Sequence, residues 1–107
     1  MNKYWNRILN LSKTETGDIS KRFVKLQEEV GEFAASYLEE DGFKIGKTKK
    51  TPEELRNHIL EEGVDAIIMV LDILANKGFT IEEIESKLGI KLDVWEKVLI
   101  DKGLIST

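Results

Sequence analysis

The chain contains no cysteine, a single proline and a single histidine, His58. Without cysteine there is no disulfide framework, no thiolate zinc site and no cysteine nucleophile. One histidine excludes any metal site built from two or three imidazoles of one chain. No apolar run reaches membrane-spanning length, and the opening MNKYWNRILNLSK lacks the apolar core of a signal peptide. The expected compartment is the cytoplasm. Sixteen Lys and Arg stand against twenty Asp and Glu, a net charge of −4. That balance argues against a broad footprint on nucleic acid, while leaving room for one small polyanion held through a metal. At 107 residues the chain is expected to form one domain, 1–107, and is too short for a TIM barrel or a doubly wound α/β enzyme.

Long uninterrupted stretches of helix formers are what the sequence does have. Asp18 or Ser20 can cap a helix running to about Glu40, with Phe23, Leu26, Val30, Ala34, Tyr37 and Leu38 at helical spacing, and Asp41-Gly42 closes it. The basic, glycine-punctuated GFKIGKTKK reads as a loop. Thr51, Pro52 and Glu54 open a second helix as cap, first-turn proline and capping-box acid; it runs to about Asn76, before Lys77-Gly78. Thr80 and Glu83 repeat the capping box for a short helix to Leu88, and Gly89 predicts a break before another from Leu92 to Asp101. The first dozen residues predict one more short helix. No β-alternation of useful length competes, so the fold class is all-α, a bundle of four to five helices.

Val64 to Ala75 is apolar around nearly the whole helical circumference, interrupted by Asp65 and Asp72. Such a helix is buried on all sides, which a short chain achieves most simply by homo-oligomerisation. Along it His58, Glu62, Asp65, Met69, Asp72 and Asn76 form one stripe. The helix before it carries Glu28, Glu29 and Glu32. Glu29 and Glu32 lie one turn apart, as do Glu62 and Asp65, and each pair brackets a glycine, Gly31 or Gly63, expected to permit close backbone approach. Antiparallel helices would set the two acid pairs face to face. Unit charges 4 Å apart repel by about 4 kcal/mol at an effective dielectric of 20, so carboxylates so placed take up protons or a cation. A site of oxygen ligands alone suits Mg²⁺, or Mn²⁺, rather than zinc or copper.

KLQEEVGE at Lys25–Glu32, then EEGVD at Glu61–Asp65 and an apolar helix, resembles the MazG-like all-α nucleoside triphosphate pyrophosphohydrolases over roughly residues 20 to 100. The family pattern is EExxE followed by ExxD. The resemblance implies metal ligation by Glu29, Glu32, Glu62 and Asp65, with Glu28 or Glu32 taking the proton of an attacking water. It implies hydrolysis of (deoxy)nucleoside triphosphates to nucleoside monophosphate and pyrophosphate, the removal of non-standard nucleotides being one such use, by a homodimer or tetramer. It places Lys25 and Lys91 on the nucleotide. Trp95 stands where an arginine is common in the family, and the arginine-rich tail is missing. Asn76 is a candidate for the sugar or base, and Tyr4, Trp5, Tyr37 and Trp95 for stacking on the base. Lys47, Lys49 and Lys50 are placed to fold over a triphosphate.

Two other readings compete. FTIEEIESKLGIKLDVWEKVLIDKGLI has the rhythm of a helix-turn-helix DNA-binding regulator, although its would-be recognition helix carries Lys91, Asp93, Glu96 and Lys97 and lacks the arginines and amides that read bases. A catalytically silent helical interaction module is the other. The GFKIGKT segment spaces its glycines one residue too tightly for a phosphate loop, and the Glu-x-x-His pairs of a di-iron bundle are absent.

Overall fold

Each helix starts and stops where side chains or glycine satisfy its terminal backbone groups. The computed structural model describes residues 2–15, 17–41 and 50–106. They form four helices, α1 (Asn2–Thr14), α2 (Ile19–Glu40), α3 (Pro52–Asn76) and α4 (Ile81–Asp101), with no strand among the described residues. Asp18, not Ser20, caps α2, its carboxylate accepting from the Ser20 amide. Thr51 and Glu54 close the capping box of α3, and Thr80 and Glu83 that of α4. Both later helices end alike: beyond α3 the Phe79 amide reaches back to the Leu74 carbonyl at 3.1 Å, with Gly78 at φ 89°, a conformation that favours glycine. No helix of the described residues is long and apolar enough to cross a membrane. Gly42 and the basic stretch with Lys47 and Lys49 lie outside the described residues.

The expected break at Gly89 is absent, because α4 runs unbroken from Ile81 to Asp101. A mid-helix glycine costs only about 1 kcal/mol relative to alanine, less than the helical hydrogen bonds on either side of it return. The turn that a helix-turn-helix needs at this point is therefore not there.

Helices α2 and α3 pack as an antiparallel pair, as the reversed order of their contacts shows: Arg22 meets Asp72, and Glu39 joins Lys50, which reaches His58. The face of α2 turned inward is not the apolar one. Arg22, Glu29 and Ser36, seven residues apart, are buried, whereas Phe23, Val30, Tyr37 and Leu38 are exposed and Leu26 is half-buried. Partners offset part of their desolvation: Asp72 on α3 answers Arg22, while Lys25 and the Phe33 carbonyl, both on α2, answer one oxygen of Glu29 and the hydroxyl of Ser36. Arg22 is the tightest case. Its guanidinium donates to Asp72 at 2.8 Å, to the Ser12 hydroxyl at 3.1 Å and to the Glu15 carbonyl at 2.7 Å, fastening the end of α1 and its connection to α3.

Helix α1 lies on the far half of α3, where Trp5 packs with Leu71 and Ala75; Ile8, Leu9, Ile81 and Ile84 close around them. On α3, Leu71, Ile73 and Ala75 are buried, but Val64, Ile67, Ile68 and Val70 are exposed, so the helix is uncovered along one side within the chain. The radius of gyration is 17.4 Å, against about 13 Å for a compact chain of this size. The accessible surface is 8563 Å², where a folded monomer of this length exposes about 6,100 Å².

Candidate functional site

Because the two helices are antiparallel, the middle of α2 faces the first half of α3, and there three acids meet. One carboxylate oxygen from each of Glu29, Glu32 and Glu62 lies within 4.8 Å of the others. Glu29 is nine-tenths buried, its side chain 9% exposed, and Lys25 one turn earlier approaches one oxygen at 3.1 Å. The other oxygen of Glu29 is buried without a hydrogen-bond partner. Glu62 repeats the arrangement: one oxygen sits 3.1 Å from the His58 imidazole Nε2, and the second is buried without a partner. Each acid thus has one oxygen held and one oxygen desolvated and unanswered.

Glu32 completes the cluster from the exposed side. Its carboxyl holds a proton more tightly than an ordinary glutamate, first because a proton there is shared with Glu62, then through the charges of Glu29 and Glu62. The Lys25 ammonium is held above its usual range by its bond to Glu29. Protons or a cation can relieve such a cluster, and an all-oxygen donor set suits a hard divalent ion. The two unanswered buried oxygens fit that role.

From the acids a groove of about 380 Å³ extends along α2 and α3, lined by Glu32, Ala35, Ser36, Glu39, Lys50, His58 and Glu62. Lys50 crosses it, bonded to Glu39 at 2.7 Å and 3.4 Å from His58 Nδ1. An acidic head, a polar groove and an ammonium at its edge are together suited to a metal-bound anion.

The remaining candidates stand elsewhere. Asp65 is exposed and outside the three-acid group. Glu28 is exposed, 3.7 Å from Lys25. Asn76 is exposed, fourteen residues past Glu62 on α3, about 21 Å along the helix axis. Lys91 and Trp95 are exposed on α4, where Lys91 lines a different groove with Leu74, Phe79 and Leu88. Of the aromatic candidates, Trp5 is core, while Tyr4, Tyr37 and Trp95 are exposed. None of these residues lines the acid-headed groove.

Sequence reasoning gave His58 no chemistry, although its four-residue spacing from Glu62 is the signal of a paired contact on one helix face. Arg22 had no comparable signal, since its partners Ser12, Glu15 and Asp72 are brought to it only by the tertiary fold. Compared with known protein families, curated proteins and solved structures, the chain matches none.

Proposed function

We propose that the acid cluster binds a divalent ion, Mg²⁺ or Mn²⁺, and that the protein is a MazG-like pyrophosphohydrolase of nucleoside triphosphates. The single observation that carries this reading is the meeting of Glu29, Glu32 and Glu62 from two helices, with a buried, unpartnered oxygen on both Glu29 and Glu62. In this reading those three residues hold the ion. A bound divalent ion supplies charge neutralisation of phosphate oxygens and a more acidic water.

The chain's own groups do the rest. Lys25 and His58 fix Glu29 and Glu62 by holding one oxygen of each. Glu32, which faces the groove, accepts the proton of the attacking water. Water oxygen bonds to the α-phosphorus, the α–β bridging bond breaks, and pyrophosphate leaves with the bridging oxygen. Lys50 lies at the groove edge, in place to meet phosphate charge. Glu28, exposed and turned to Lys25, has no part in proton transfer in this account.

The reading also includes a homo-oligomer. The exposed apolar residues of α2 and α3, among them Phe23, Val30, Ile67 and Ile68, are the surface it would cover. The test is pyrophosphate release from a panel of common and modified NTPs and dNTPs with Mg²⁺. Release from at least one, lost in Glu62→Gln, supports the reading. Release from none, with Glu62→Gln melting like wild type in Mg²⁺, contradicts it and favours the silent helical module.

A further inference from the structure

We propose that the junction of α3 and α4 is a docking site for an amphipathic helix of another protein, one whose apolar stripe is flanked by Asp and Glu. The inference stands apart from the metal, from hydrolysis and from the homo-oligomer. It begins at the end of α3. There the Gly78 amide donates to the Ala75 carbonyl at 3.0 Å and the Phe79 amide to the Leu74 carbonyl at 3.1 Å, the paired bonds that lock a helix stop and bring its flanking apolar side chains together. Leu74 and Phe79 line two grooves at once, and so stand as a fixed ridge between them. The groove on the α4 side, about 440 Å³, continues over Ile84 and Leu88. The groove on the α2 side, about 310 Å³, is floored by Leu26, Val70 and Ile73.

Both grooves are apolar inside and basic at the rim. Lys87 and Lys91, one turn apart on α4, border the first, and Lys77 borders the second. None of the three is ion-paired among the described residues. The one carboxylate that lines either groove, Glu83, has an oxygen engaged in the α4 cap, accepting from the amide and the hydroxyl of Thr80. Acids outnumber bases by twenty to sixteen in the whole chain, so three lysines beside one acid reverse the sign of the surface at this place. Shape and charge together select the occupant. Small molecules bind where most of their surface is enclosed, and these grooves are open. Two apolar grooves side by side across a ridge match instead the side chains that a helix presents a turn apart on one face. Unpaired ammoniums around them attract acids flanking that face and repel a basic helix.

A display library of helices with a fixed leucine stripe, its flanks varied among Glu, Lys, Gln and Ser, is selected on the whole wild-type chain. The best binder is then made as a free peptide, beside a twin carrying Lys at every acid position, and both are titrated by fluorescence anisotropy. The expected result is enrichment of Glu on the flanks and binding of the acidic peptide about 10-fold or more tighter than its twin, the gap narrowing as salt rises. Lys77→Glu/Lys87→Glu/Lys91→Glu changes only exposed side chains. It should keep its helix content by circular dichroism and reverse the preference, which loss of folding cannot do. Should it unfold, Lys77→Gln/Lys87→Gln/Lys91→Gln is expected to bind the two peptides alike. Leu88→Glu, in the apolar floor, should weaken the acidic peptide by about 10-fold or more. No selected binder, equal binding of the twins by wild type, or an unchanged preference in the lysine variants overturns the proposal. So does self-association of the wild type that excludes the peptide and is broken by Leu88→Glu, since a second copy then fills the grooves.

Discussion

Glu62 is held at one oxygen by His58, 3.1 Å away and one turn earlier on α3, while its other oxygen is buried and answered by nothing. Glu29 on the facing helix stands in the same condition with Lys25 in the place of His58. Two acids, each anchored at one oxygen from its own helix and each with a second oxygen buried and unpartnered, bring one oxygen apiece within 4.8 Å of one another and of Glu32.

The first prediction concerns Glu32 and pH. Its folded-state affinity for a proton is raised above the ordinary value of 4.5 by the shared proton with Glu62 and the charge of Glu29. The stability this group contributes is therefore fully present below about pH 4.5 and is lost as pH rises through the higher folded value. In metal-free buffer, Glu32→Gln, which cannot titrate and can donate to Glu62, should lack that decline and melt a few degrees higher than wild type near neutral pH. Urea unfolding of both proteins between acid and neutral pH measures it. Parallel stability curves would refute the coupling. Added Mg²⁺ should stabilise wild type less as pH falls, because protons compete for the same carboxylates.

The Arg22–Asp72 pair is buried at both ends, with side chains 6% and 13% exposed. Arg22→Met leaves Asp72 charged and unanswered and should cost about 3–5 kcal/mol in chemical denaturation. Arg22→Met/Asp72→Leu should recover most of that loss. A double variant as unstable as the single one would mean that the bonds from Arg22 to Ser12 and Glu15, not the ion pair, hold the segment.

The two motif glycines suggest close backbone approach, but the structure shows none: a side chain, the Phe33 ring, approaches Gly63, and nothing approaches Gly31. A β-carbon added at Gly63 would lie 3.1 Å from the Phe33 ring, whereas one at Gly31 meets nothing within 4 Å. Gly31→Ala should therefore gain about 0.5–1 kcal/mol from helix propensity. Gly63→Ala should gain clearly less, since Phe33 must shift. Thermal melts of the two variants rank them, and equal gains would contradict the contact at Gly63.

The parts of the fold governed by local chemistry were legible in the sequence. The Thr51 and Thr80 capping boxes and the Lys77-Gly78 stop gave the starts of α3 and α4 and the end of α3 to the residue. Glu29, Glu32 and Glu62 could be brought together from spacing alone, because a one-turn pair on each of two antiparallel helices has few places to go. What failed depended on tertiary partners. Gly89 reads as a breaker, yet helix on both sides carries the chain through it. The apolar stripe of α2 reads as its inner face, yet Arg22, Glu29 and Ser36 are the buried residues. Asp65, one turn after Glu62, is outside the three-acid group, and Asn76, Lys91 and Trp95 do not line the groove.

The most direct test of the account is the binding of Mn²⁺, followed by electron paramagnetic resonance at neutral pH, to wild type and to Glu29→Gln/Glu62→Gln. A socket of desolvated carboxylates predicts saturable binding by wild type, weakened in the double variant by about 10-fold or more, while both proteins keep the same helix content. Equal binding by the two, or no saturation in wild type, would contradict it.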